Sequence, residues 1–386
     1  MTVVVVSGAV ANKPLNGGAA WTRLSWALGL ERLGFDVWFI EQIASTVCRD
    51  EVGRPAAFRA SVNVRYFDEV MAFAGLTRRA ALLCDGEDLH GVESPELLQA
   101  AEAAELLVNI SGHLRLEPLL RRFRRRAYID LDPGFTQLWA LAGHEGARLD
   151  GHQLHFTVGA RLGTPGCAIP DAGISWIPVR QPVVLELWPI ARRAGLDRFT
   201  TVASWRGAFG PVEYAGSTFG LKLHEFRRII DLPRRIGQRF ELALDIDEAD
   251  DRDRRALRVA GWKIVDARAV AASPQAFRDY VTSSGAEFST AQGVYVETES
   301  GWFSDRTTRY LASGKPALVQ DTGFSRELPV GEGLLCFRTL DEAASGAAAI
   351  ASDYERHART ARELAEALFD SDVVLTRFVE RAGVAP

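Results

Sequence analysis

The stretch "TVVVVSGAVANKPLNGGAAWTRLSWALGLERLGFDVWFIEQ", residues 2–42, carries the fold. Its opening is a continuous β-branched run, the pattern of a strand buried on both faces in a parallel sheet. Trp21, Leu24, Leu28 and Leu33 then keep one helical stripe, Gly34 ends it, and "DVWFIE" forms the next strand. The unit is βαβ, with Gly17 and Gly18 in its first turn. Glycines there let backbone approach a ligand and leave the next helix start free for an anion.

The rhythm continues outward. Strands are expected at 80–86, 105–112, 126–134 and 152–159, with helices over 94–104, 116–125 and 135–143. Residues 160–195 break the pattern: they hold five prolines and no periodicity, and read as a long ordered connection. Beyond it the alternation restarts, with strands at 199–204, 240–246, 261–267, 286–297 and 316–323. Helices are expected over 274–284, 304–313, 340–352, 353–368 and 371–382. The fold class is therefore α/β, two facing Rossmann-like halves, each with a parallel sheet, separated by a deep cleft. Residues 1–195 form the first domain and 196–369 the second, and 370–386 form a final helix packing back on the first.

The chain has 386 residues, 47% hydrophobic and 25% charged, with a net charge of −5. Nothing in that balance favours nucleic acid or an anionic membrane. No apolar run approaches the ~20 residues that span a bilayer. The basic residues are 41 Arg and four Lys, and the four cysteines are far apart with no CxxC pair. That spacing argues against a zinc site or disulfide framework and suits a reducing cytosol. A cytoplasmic monomer or homodimer is expected. The cluster "RRFRRR" at 121–126 ends a helix, where cations suit the dipole, and reads as a solvated helix end.

"SGWFSDRTTRYLASGKP", residues 300–316, sets the functional question. Phe303, Thr307, Tyr310 and Leu311 share a helical face, Ser304 is placed to cap it and Gly314 stops it. Asp305 suits a first turn, but Arg306 there opposes the helix dipole unless an anion is bound. A phosphate would resolve that conflict.

The longer run "SGWFSDRTTRYLASGKPALVQDTGFSRELPVGEGLLCFRTLDEA" resembles the donor-binding segment of GT-B glycosyltransferases (family 4/1-like) over about 45 residues. The resemblance implies a second domain that binds a nucleotide sugar, UDP- or TDP-linked, with the diphosphate on a helix N-terminus. It implies donor contacts at Gly301, Ser304, Asp305, Arg306 and Thr307, with Thr322, Gly323 and Phe324 near the sugar and Glu327 as the downstream acid. Many retaining members carry two glutamates with seven residues between them; this chain has Gly301 and Arg309 there, so the retaining outcome does not carry over. No cofactor and no metal are implied beyond the donor substrate itself. The partners are that donor and a small-molecule acceptor, as in bacterial natural-product biosynthesis.

Other residues fall at strand ends, where α/β sheets bind ligands. Ser204 and Arg206 follow the first strand of the second half, and the guanidinium suits a bidentate phosphate contact. Lys222 follows a glycine-rich loop and suits a departing diphosphate. Gly17 and Gly18 face the donor from the first half. "YIDLDPGF" places Asp132 toward the cleft as a general base, with Asp130 orienting structure. His113 is the alternative base, with His152 and His155 behind it. Asp245 and Asp247 open an acidic, solvated loop. The function expected is metal-independent glycosyl transfer. A sugar-nucleotide epimerase on the same architecture, or a non-catalytic nucleotide-sugar-binding protein, is the alternative.

Overall fold

The computed structural model describes every residue except Arg192 and Ala208, which fall in the long connection and the glycine-rich loop. The β-branched runs become the inner strands of two sheets. The first sheet is built from β1 (Val3–Ser7), β2 (Asp36–Ile43), β3 (Ala80–Cys84), β4 (Asp88–Gly91), β5 (Ala104–Ile110), β6 (Arg126–Asp130), β7 (Leu154–Thr157) and β8 (Trp176–Pro178). Its order is β4-β3-β2-β1-β5-β6-β7-β8, and only β4 runs antiparallel. Val4, Val5 and Val6 of β1 are fully buried, as a central strand covered on both faces must be.

The second sheet uses β9 (Phe199–Ser204), β12 (Phe240–Asp245), β13 (Lys263–Asp266), β14 (Ala286–Ser289), β15 (Ala317–Gln320) and β16 (Leu334–Phe337). Its order is β13-β12-β9-β14-β15-β16, all parallel. Between β9 and β12 lies a small hairpin of β10 (Val212–Tyr214) and β11 (Ser217–Phe219). Each sheet reverses its strand order beside its first strand, β1 or β9, and each places a crevice there.

Three expectations change. The 286–297 stretch is a strand only to Ser289; Gly293–Glu297 is a helical turn. Val294 and Tyr295 are buried against Phe135, Leu138 and Phe219, and this packing between the halves outweighs their β propensity. The helix expected over 116–125 is only Glu117–Leu120. The arginines that follow it turn outward, Arg121 to Glu117 and Arg124 to Glu105, as a solvated cluster should. The connection is not free of structure either, since Trp176–Pro178 adds a strand to the first sheet.

The halves are pinned to each other by polar contacts. Trp21 Nε1 donates to the Pro274 carbonyl at 2.7 Å, and Thr22 Oγ1 donates to Asp305 at 2.5 Å. Trp302 Nε1 donates to the Leu131 carbonyl at 3.2 Å, and Tyr295 Oη to Asp132 at 2.9 Å. The helix Ser371–Ala382 returns to the first half, where Phe378 meets Trp26 edge-on at 5.0 Å. Gly29 makes room for it, because a Cβ there would stand 2.4 Å from Leu375 Cδ1.

Candidate active site

A cavity of about 400 Å³ lies between the halves. From the second half it receives the ends of β9 and β12, with Val202, Ala203, Ser204 and Asp245 on its wall. Lys222, Arg268, Phe277, Trp302, Asp305 and Arg306 also lie on that side, with Arg268 at the exposed rim. The first half contributes the loop after β1, the first turns of helix Gly17–Arg32, and Asp132 just beyond β6. Both walls are strand carboxyl ends and helix starts, where unpaired N–H groups gather.

The helix Asp305–Ala312 begins as the sequence suggests, with Ser304 Oγ accepting from the Arg306 amide at 3.2 Å. Its apparent conflict is resolved without a ligand, however. Arg306 Nε donates to Glu287 at 2.7 Å, and another arm donates to the Val202 carbonyl at 2.9 Å. Burial disfavours the Arg306 charge, but the fully buried Glu287 outweighs it and raises the pKa. Asp305 is likewise answered. Burial pushes its carboxyl up, yet Arg309 at 2.6 Å and the Thr22 hydroxyl bring it below the ordinary range. Thr307 is buried within the helix packing rather than presented to the cavity.

The unanswered charges are elsewhere. Among the described residues Lys13, Arg23 and Lys222 have no carboxylate within 4.0 Å, although all three line the cavity. Arg23 is 5% exposed; it donates to the Ala19 carbonyl at 3.2 Å, and its Nε has no partner. Burial lowers the pKa of each of the three, that of Lys222 to about 7, with Arg306 pressing the same way. A buried cation without a counter-ion is costly, and an anion placed among them would remove that cost.

Asp132 faces these cations. Burial raises its pKa, while the Lys13 charge and the Tyr295 hydrogen bond hold it down. Asp130, by contrast, is saturated by Thr136, Gln137, Thr157 and the Asp132 amide, and it orders the turn. His113 is kept neutral by burial and by the nearby Arg23, Arg148 and Lys13 charges. Its Nδ1 accepts from Arg148 at 3.0 Å, so the neutral ring carries its proton on Nε2 and has no lone pair to spare there. His152 lies against Asn109, and His155 packs on Tyr128 and Trp176, both outside the cavity lining.

Several sequence-derived residues are placed differently from expectation. Arg206 does not line the cavity: its guanidinium forks onto Asp250 at 2.6 and 2.7 Å. Gly17 meets the other half rather than a ligand, since a Cβ there would stand 2.1 Å from the Ser273 carbonyl oxygen. Gly18 does line the cavity. Asp245 also lines it instead of joining the solvated loop, whereas Asp247 caps the Ala249 amide. Gly301, Phe324 and Glu327 border a second cavity, and Thr322 and Gly323 are held in the turn beneath it by the Trp302 carbonyl and Asp321. Arg23, Lys13 and Trp302 went unread in the sequence. Helix Gly17–Arg32 buries several faces at once in its first turns, and Arg23 is buried there while Arg32 at the helix end stays exposed.

No protein-family model matches the chain, and no curated protein matches it in sequence. In three dimensions it is similar to HepE of Anabaena, solved with UDP and glucose, at a TM-score of 0.58 and 12% identity over 99% of both chains. AviGT4, a glycosyltransferase involved in avilamycin A biosynthesis, matches at 0.56 and 14% identity, covering 99% of this chain and 97% of that one. Sucrose-phosphate synthase from Thermosynechococcus elongatus gives 0.56 and 12%, covering 99% and 98%. Each match runs over nearly the full length of both chains. The fold is GT-B.

Gly301 and Arg309, which the sequence resemblance sets against the glutamates of retaining members, serve packing here. Arg309, 1% exposed, pairs with Asp305 and lies 5.9 Å from the Trp188 ring centroid. Gly301 has φ +73°, and a Cβ there would come within 2.8 Å of the Arg161 amide. Among the described residues no group of three or more His, Cys, Asp or Glu side chains is gathered as metal ligands.

Proposed function

We propose that the protein is a glycosyltransferase that takes its sugar from a UDP or TDP donor and passes it to a small-molecule acceptor, without a bound metal. The observation that carries this reading is the set of cations around one interlobe cavity, the buried Arg23 and the half-buried Lys13 and Lys222, none of them paired with a carboxylate among the described residues. A diphosphate supplies the missing negative charge. HepE, on the same fold, was solved with UDP-glucose. In the transfer the acceptor hydroxyl gives its proton to Asp132 while its oxygen bonds the anomeric carbon. The bond from that carbon to the phosphate oxygen breaks, and its electron pair leaves with the diphosphate. The cations stabilise the charge that develops there. Burial holds the Asp132 carboxyl above its ordinary pKa, which strengthens it as a base.

The test is a thermal-shift series with UDP and TDP. A ligand at 100-fold its Kd stabilises by about 2.7 kcal/mol. The melting temperature should rise with one of the two, and Lys222→Met should remove most of the rise by costing about 1.5–3 kcal/mol of charge-assisted contact. No response to either nucleotide would overturn the proposal. A Listeria monocytogenes protein assigned as a UDP-N-acetylglucosamine 2-epimerase shares the fold at a TM-score of 0.50 and 12% identity over 98% of this chain and 95% of that one. Sugar interconversion without acceptor would favour that second activity.

A further inference from the structure

A second cavity, of about 550 Å³, lies beside the first sheet's edge and the final helix. One wall is the edge of the first sheet with the segment after β8, another is the turn at 324–328, and the third is the final helix. Phe156, Ile177, Phe303 and Phe378 make it apolar. Three arginines line it as well: Arg180, and, one turn apart on the final helix, Arg377 and Arg381. None has a carboxylate within 4.0 Å among the described residues. Two acids share the lining. Glu327 lies 3.8 Å from Arg161, and Glu380 forms no ion pair among the described residues. Burial and the Arg377 charge lower the pKa of Arg180, so the cluster repels itself while empty.

Gln181 connects this cavity to the first. It is 6% exposed, borders both, and its side-chain amide makes no hydrogen bond among the described residues. Its amide is open to the cavity space, where a ligand or water can hydrogen-bond it. Apolar walls with a few convergent polar groups are the make-up of a small-molecule site, and the volume suits one small molecule rather than a chain.

We propose that this second cavity is the acceptor subsite and takes a small amphipathic acid. Its apolar body lies among the phenylalanines. Its carboxylate or phosphate meets Arg180, Arg377 and Arg381, and its hydroxyl passes Gln181 toward the donor cavity. This rests on the glycosyltransferase reading above.

Isothermal titration of the full chain with 2-naphthyl phosphate tests the site. One molecule should bind per chain, with the same affinity in saturating UDP, and neutral 2-naphthol should bind at least about tenfold more weakly, the scale of a charged hydrogen bond. Arg377 and Arg381 are exposed on the helix surface, so R377Q/R381Q should fold normally. That variant should lose about tenfold in probe affinity and keep its UDP affinity, and Lys222→Met should do the reverse. Displacement of the probe by UDP would overturn the site, and so would equal binding of the naphthol or no change in R377Q/R381Q, two outcomes that do not depend on UDP. The acceptor role is read by mass spectrometry with UDP-sugars. 6-Hydroxy-2-naphthoate should be glycosylated faster than its methyl ester, and the difference should vanish in R377Q/R381Q. Equal rates for acid and ester in the native protein, zero included, would overturn that role.

Discussion

A guanidinium at a strand end and one inside a helix meet different physics in this protein. Arg206 lies at the surface and forks onto Asp250, its charge already answered. Arg23 lies inside, with its Nε facing no partner. Arg206→Ala should therefore leave UDP affinity within about twofold, measured by calorimetry, because its guanidinium is engaged by Asp250 and does not line the cavity. Lys222 supplies a pH signature. Burial, then Arg306, takes its pKa to about 7, so near neutral pH part of the empty protein carries a neutral amine there. A bound diphosphate favours the ammonium, so the complex takes up a proton. UDP affinity should be highest below pH 7 and fall above it, by up to about tenfold per unit. Calorimetry in buffers of different ionisation enthalpy reads the proton uptake; affinity that rises with pH would exclude Lys222 as the anion's partner.

At the scale of elements, helix Gly17–Arg32 ties the fold to the site. Asn16 caps it, accepting from the Ala19 amide at 2.9 Å, and Gly17 lets the second half come down on its first turn. An alanine in a helix gains up to about 1 kcal/mol over glycine. A Cβ at Gly17 would stand 2.1 Å from the Ser273 carbonyl oxygen, and overpacking of this kind costs typically ~1–3 kcal/mol. The clash wins, so Gly17→Ala should lower stability in urea titration and, by prising the walls apart, weaken UDP binding. The sequence marked the double glycine but not its purpose: a glycine that admits a ligand and one that admits another backbone look alike in a string. The Gly293–Glu297 turn shows the same limit, since "GVYVE" has strand propensity and only burial against Phe135 and Leu138 makes it helical.

Over the whole molecule the site divides between the halves. The second half brings Lys222 and the start of helix Asp305–Ala312, and the first brings Lys13, Arg23 and Asp132. The hydrogen bonds from Thr22 to Asp305 and from Tyr295 to Asp132 join these two sets directly. Asp132→Asn keeps the shape and the Tyr295 contact while removing the base. Transfer should fall about 10²–10⁴-fold, the usual share of general base catalysis, with UDP affinity unchanged or slightly tighter. A variant that transfers normally would move the base elsewhere. Comparing single-turnover rates with nucleotide binding separates the two effects.

The amino-acid sequence by itself determined the layers: β-branched runs, a 3.6-residue stripe and punctuating glycines fix two successive parallel α/β units, because those patterns act within one segment at a time. It also placed Asp132, Ser204, Lys222 and the helix at 304–313 at strand ends and helix starts, which the topology carries to the cleft. Tertiary structure alone decided which charges are answered. Arg306 has Glu287, Arg206 has Asp250, and Arg23 has neither, because each pairing depends on residues distant in the chain. Electrostatic energy depends on distance and burial in space, and neither is written in the order of the residues.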